Sequence, residues 1–253
     1  MKNKNHLLGV RFDNVDSKNI FFHMERFLNS KKFSMITPVN PEMLISAKDD
    51  SNFKEILNNS ELNTPEATGI LLGFKLKFVR LKKYPGSSMV YDVLKFCEEN
   101  NKKIFFLGTK TEINKKAQEN VLKKYPKIKI QGYSPPPYVN FPNKQFPKSE
   151  EDKIFYELRK FKPDIICAFW GAPFQETWFS NNQEKLQKLG VKIGISMGGT
   201  ADFLSGHTKR APKIFQKLNL EWLYRLTTEK GRSKRFFTRI PLFVVLCIKE
   251  AID

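Results

Sequence analysis

Gln175 and Glu176 stand side by side in the segment FWGAPFQETW, residues 169–178, four and five positions after Gly171. An amide and a carboxylate at the start of a helix can hold ligand hydroxyls, or the acid can complement the positive end of the helix dipole. Asp202 follows the pair Gly198-Gly199, where an acid can grip a hydroxyl or cap the next helix. Asn40 precedes Pro41 and Glu42, so its side chain either caps a helix or turns its amide toward a ligand. Arginines recur late in the chain, at Arg210, Arg225, Arg232, Arg235 and Arg239. Their planar guanidinium suits paired contacts to phosphate oxygens, and a solvated or membrane-facing basic helix is the plainer alternative. Trp170 and Trp178 stack on a ring or fill the core, and His207 reads as surface.

Several chemistries lack their usual signals. No GxxxxGK[ST] loop is present, and no GxGxxG follows an early strand, which argues against P-loop hydrolysis and a nicotinamide cofactor. There is no Asp-x-Asp pair to hold a divalent ion on a nucleotide diphosphate. Cys97, Cys167 and Cys247 are far apart and odd in number, so neither a disulfide framework nor a zinc site is implied.

The elements that position these residues alternate along the chain. Segments 7–12 and 35–39 read as strands, and a helix opens at Asn40-Pro41-Glu42. Segment 67–74 is ambiguous between strand and buried helix, and a helix follows the Pro85-Gly86 break. Strands at 102–110, 127–133, 164–171 and 191–199 alternate with helices at 111–126, 151–163 and 173–190. Segment 134–152, with five prolines, reads as a long loop or lid. Nearly unbroken apolar strands between helices predict an α/β fold with a Rossmann-like, mostly parallel sheet covered on both faces. Ligands of such sheets collect at the carboxyl ends of the strands, and Gly108, Gly171 and Gly198-Gly199 mark three of those ends. Residues 1–207 are expected to form this core, and 208–253 a basic helical appendage.

The chain has 253 residues, 40% hydrophobic and 28% charged, and carries a net charge of +18. This composition fits an ordered globular protein drawn to nucleic acid, an anionic bilayer or a phosphate-bearing substrate. Between Lys209 and Arg239 ten basic residues face two acids. The basic residues form no helix-turn-helix, RNP or zinc pattern, which leaves nucleic acid as the rival and less favoured partner. The apolar run IPLFVVLCI, residues 240–248, is too short to cross a bilayer. It can lie on anionic lipid with Phe236, Phe237, Leu242, Phe243 and Leu246 toward the apolar side, or close a protein interface.

FWGAPFQETW, taken with GGTADFLSGHTKRAPKIFQKLNLEWLYRL (198–226), resembles the WecG/TagA/CpsF family of bacterial glycosyltransferases. Asn-Pro-Glu (40–42), the Pro-acid-x-x-Gly turn (65–69), Pro-Gly (85–86) and FFLGTK (105–110) match in order, so the resemblance covers nearly the whole chain. It implies an inverting transferase, independent of metal and without a cofactor, that moves a sugar from a UDP-sugar to a sugar on polyprenyl diphosphate. The donors of the family include N-acetylmannosamine, glucose and uronic acids. It further implies a peripheral location on the cytoplasmic face of the cell membrane, and it leaves self-association into a homo-oligomer open.

The family's favoured general base is an aspartate followed by glycine; Glu66 and Ala67 stand there in this chain. The longer stem of glutamate moves the carboxylate by about 1.5 Å, and misplacement on that scale can cost about 100-fold in rate. Where many members have threonine two positions before the asparagine, this chain has Pro38, with Thr37 one step earlier. The resemblance thus assigns catalysis to Glu66, with Thr37 and Asn40 beside it. Substrate contacts fall to Gly108, Gly171, Gln175, Glu176, Gly198, Gly199, Asp202, Arg210, Arg225, Arg232 and Arg235. Gln175 would read sugar hydroxyls or uridine, and the arginines would offset charge on the leaving diphosphate. A catalytically impaired member serving as a scaffold in polysaccharide assembly is the alternative that Glu66 keeps open.

Overall fold

The structure is a computed structural model and describes residues 5–135, 146–209, 211–212, 214–215, 224 and 232–252, without the side chains of 232–237. An antiparallel hairpin of β1 (His6–Leu7) and β2 (Val10–Arg11) precedes a six-stranded parallel sheet. Its strands are β3 (Ser34–Val39), β4 (Leu62–Pro65), β5 (Lys103–Leu107), β6 (Lys129–Tyr133), β7 (Ile165–Ala168) and β8 (Ile193–Ser196). They lie in the order β4-β3-β8-β7-β5-β6, which brings the ends of β4, β3, β8 and β7 next to one another.

Both faces of the sheet are buried, which explains why its strands read as continuous apolar runs. Ile36, Ile104, Phe106, Ile165, Cys167, Ile193 and Ile195 face one core. That core includes residues of α1 (Ile20–Leu28), α5 (Gly86–Glu99), α6 (Thr111–Lys124) and α9 (Thr200–Ser205). Phe105, Leu107, Ile166 and Ala168 point the other way, into a core with residues of α7 (Lys148–Phe161) and α8 (Phe174–Lys188). The expected α/β architecture is therefore present, with a helical extension at the C-terminal end.

A third cluster lies beyond the β3–β4 edge. It joins the hairpin to α2 (Pro41–Asp49), α3 (Ser51–Asn59), α4 (Thr68–Leu76) and the last helix, α10 (Arg232–Ile252). Two glycines one helical turn apart let α10 approach α4. A Cβ at Gly69 would lie 3.5 Å from Phe243 Cε1, and one at Gly73 would lie 3.0 Å from Cys247 Sγ. Glu250 closes the seat by accepting hydrogen bonds from Leu8 N and Lys77 Nζ.

Three expectations change. Segment 7–12 is not one strand, because Leu8 and Gly9 take positive φ and fold it into the hairpin. The ambiguity of segment 67–74 resolves to its helical alternative, with Thr68 opening α4 after Ala67 as an extended N-cap. Phe243, expected on a lipid-facing side, is 2% exposed in the third cluster, where the α4 glycines leave it room. Among the described residues no helix is long and apolar enough to cross a membrane.

Candidate functional site

Two strand ends at the β3–β4 edge place an asparagine against a glutamate. Asn40 follows β3 in extended conformation, and its Oδ1 accepts from Met43 N at 3.1 Å, capping α2. Its Nδ2 donates to Glu66 Oε2 at 3.0 Å. The amide thus caps α2 with its oxygen while its nitrogen holds Glu66. Glu66 follows β4 directly and donates its backbone N–H to Val39 O at 2.9 Å, so the two turns are locked together. Its side chain is half-buried.

Two further strand ends are tied by Gln175. Its Oε1 accepts from Gly171 N at 3.2 Å, after β7, and from Gly198 N at 3.1 Å, after β8. Its Nε2 donates to Glu176 Oε1 at 2.8 Å. Gln175 is 4% exposed and Glu176 is wholly buried. The amide therefore fastens the β7 and β8 turns and orients the neighbouring carboxyl.

Burial pushes the Glu176 carboxyl up to about 7; bonds from Gln175, its own backbone and Ser196 oppose the rise, and the charge of Glu66 adds to it. Glu176 Oε2 and the neighbouring Ser196 Oγ are both buried and make no hydrogen bond of ordinary geometry, so burial, rather than the serine, decides the state of the acid. Both carboxyl groups lie at the carboxyl ends of the strands: Glu66 is half-buried, whereas buried Glu176 is held toward its neutral form.

The glycines divide into two kinds. Gly171 and Gly198 have positive φ, and a Cβ at either would meet nothing within 4 Å, so both turns border open space. At Gly108 a Cβ would lie 2.5 Å from Trp170 Nε1, which makes this glycine the floor under the indole. Trp170 packs at 5.0–5.4 Å from the rings of Phe146, Phe174 and Trp178. Trp178 is a core residue, 2% exposed. Gly199 precedes α9, and Asp202 lies in its first turn with Oδ2 3.5 Å from a Gly199 Cβ position.

Thr37 stands apart from this group. It is fully buried, and its hydroxyl pairs with Ser60 Oγ at 3.2 Å. Arg210 and Arg225 lie outside the described residues, as do the side chains of Arg232 and Arg235 and most of the proline-rich loop. Two residues escaped the sequence reading. Ser196 is the polar end of an apolar strand, a signal for a rim position. Lys83 precedes Tyr84, whose N–H donates to Pro65 O at 2.8 Å and so brings a basic segment beside the Glu66 turn. Its signal was the lysine pair before Pro85-Gly86.

The family model described as glycosyl transferase WecG/TagA/CpsF matches residues 5–253. Similar curated proteins include the N-acetylglucosaminyldiphosphoundecaprenol N-acetyl-beta-D-mannosaminyltransferases of Staphylococcus aureus strains MRSA252 and NCTC 8325. Each is 28% identical over 241 residues, covering 94% of this chain and 89% of the relative.

Proposed function

The chain belongs to the WecG/TagA/CpsF family of glycosyl transferases, and on that premise we propose that it transfers a sugar from a UDP-sugar to a sugar carried on polyprenyl diphosphate. The Staphylococcus relatives are named for an N-acetylmannosaminyl donor group and an N-acetylglucosaminyl-diphosphoundecaprenol acceptor. These are the first pair to test, with glucose and uronic acid donors next.

The observation that carries this reading is the Asn40–Glu66 hydrogen bond at the strand ends, next to the buried Glu176. Glu66 takes the proton of the acceptor hydroxyl as general base. The freed oxygen attacks the anomeric carbon from the face opposite UDP, and the electron pair of the breaking C–O bond leaves with the diphosphate. Asn40 aims the carboxylate, and the open turns at Gly171 and Gly198 leave room for ligand beside the backbone. Charge on the departing diphosphate is met by Arg210 and Arg225, with Arg232 and Arg235 in support. The net charge of +18 and the basic tail support peripheral residence on the anionic cytoplasmic face, where a lipid-borne acceptor is met.

The test is incubation of the protein with UDP-sugars and a synthetic N-acetylglucosaminyl-diphosphate lipid, with the product's anomeric configuration read by NMR. A disaccharide of opposite configuration to the donor is expected. Retention of configuration, or UDP bound away from these four strand ends, would overturn the proposal.

A further inference from the structure

We propose that Phe78, just beyond the end of α4, inserts into an anionic bilayer, flanked by Leu72 and Leu76 and by the cations Lys75 and Arg80. Phe78 is 97% exposed and has φ +57. Its N–H donates to Lys75 O, and Val79 N–H to Phe74 O, each at 3.0 Å, so Phe78 occupies the left-handed position that ends the helix. Glycine fills that position at least cost. A phenylalanine there strains the backbone and leaves an aromatic ring in water, so nothing in the folding of the monomer favours it.

The neighbouring residues sort by side. Val79 and Leu81 pack toward the third cluster, whereas Phe78, Arg80 and Lys82 are exposed. Segment 75–83, KLKFVRLKK, holds five basic residues and no acid; Lys77 pairs with Glu250 and Lys82 with Asp16, which leaves Lys75 and Arg80 as the exposed cations beside Phe78. Leu72 and Leu76, one turn apart on α4, are 57% and 46% exposed. α10 packs on α4 with Phe243 at Gly69 and Cys247 at Gly73, and carries further exposed apolar residues at helical spacing: Val245, Ile248 and Ile252 are 61%, 44% and 80% exposed.

Charge selects the occupant. A second copy of the chain would bring the same cations against this surface, whereas anionic headgroups complement them. α4 runs nine residues, about 13 Å, between the Glu66 turn and Phe78, so a bilayer contact at its end keeps the site close to a lipid-borne acceptor. This link to the acceptor rests on the transferase reading; insertion itself does not.

The test uses the full chain, its Phe78→Gly variant, and vesicles of phosphatidylcholine with or without phosphatidylglycerol. Glycine relaxes the positive φ, so the variant should melt at or above the wild-type temperature while its affinity for the anionic vesicles falls about tenfold or more. Transfer to an acceptor embedded in vesicles should fall with it, and transfer to a short-chain soluble acceptor should not. Unchanged vesicle affinity would overturn the proposal. So would a self-associated species, formed without lipid, that Phe78→Gly dissociates. Absence of transfer to the soluble acceptor by the wild type would instead count against the transferase reading, with vesicle binding still measured separately.

Discussion

Replacing Glu176 by glutamine keeps the side chain's shape and removes its charge. The wild-type carboxyl is moved by burial from 4.5 to about 7, and each pH unit is worth about 1.4 kcal/mol. The ionised form therefore costs the folded state about 3 kcal/mol. The unfolded chain releases this proton near 4.5 and the folded chain near 7, so the native state binds more protons between those values. Wild-type stability should fall as pH rises through that window, with the penalty complete above 7. Glu176→Gln has no such slope at this site. It can still accept from Gln175 at Oε1, and its amide NH₂ can donate to Ser196 Oγ, which now lacks a partner. Thermal unfolding followed by circular dichroism should show near-equal melting at pH 4.5 and a variant more stable by roughly 6–12 °C at pH 8. Parallel curves for the two proteins across this range would refute the buried neutral acid.

Asn40→Asp keeps an oxygen for the α2 cap but sets a second carboxylate against Glu66. Transfer should fall about tenfold or more with little change in melting, whereas Asn40→Ala should also lose about 1 kcal/mol of stability with the cap. Gly108→Ala places a methyl group 2.5 Å from Trp170 Nε1 at φ +103, and urea unfolding should report a loss of about 1–3 kcal/mol. Phe243→Ala empties the seat of α10 on α4 and should cost about 3–5 kcal/mol by the same measurement.

Much of the sheet was legible because strands buried on both faces cannot conceal their apolar runs, and two of the glycines ending them, Gly171 and Gly198, marked turns that border open space. Asn40 was legible as a cap because an asparagine before Pro41 has a specific local geometry to satisfy. Strand β4 was hidden because it runs into the Pro-acid-x-x-Gly turn and because two of its four residues, Asn63 and Pro65, are poor strand formers. They are tolerated at this edge because Asn63 Nδ2 donates to Leu57 O, Thr64 Oγ1 donates to Tyr84 O, and proline falls at the last position. Tertiary packing also hid the burial of Glu176, because an acid in the first turn of α8 reads as an exposed partner of the helix dipole. Only the tertiary fold reveals that Gln175 turns inward to fasten two loops. Likewise, Phe243 sits in an apolar run whose inner and outer faces cannot be told apart until the glycines of α4 are placed against it.

The most direct test of the central claim is the rate of N-acetylmannosamine transfer from its UDP donor to an N-acetylglucosaminyl-diphosphate lipid by wild-type protein and Glu66→Gln. With Glu66 as the base, the variant should bind UDP as the wild type does and lose at least about 100-fold in turnover. A glutamine variant that turns over at the wild-type rate would contradict the assignment and return the chemistry to another group at the strand ends.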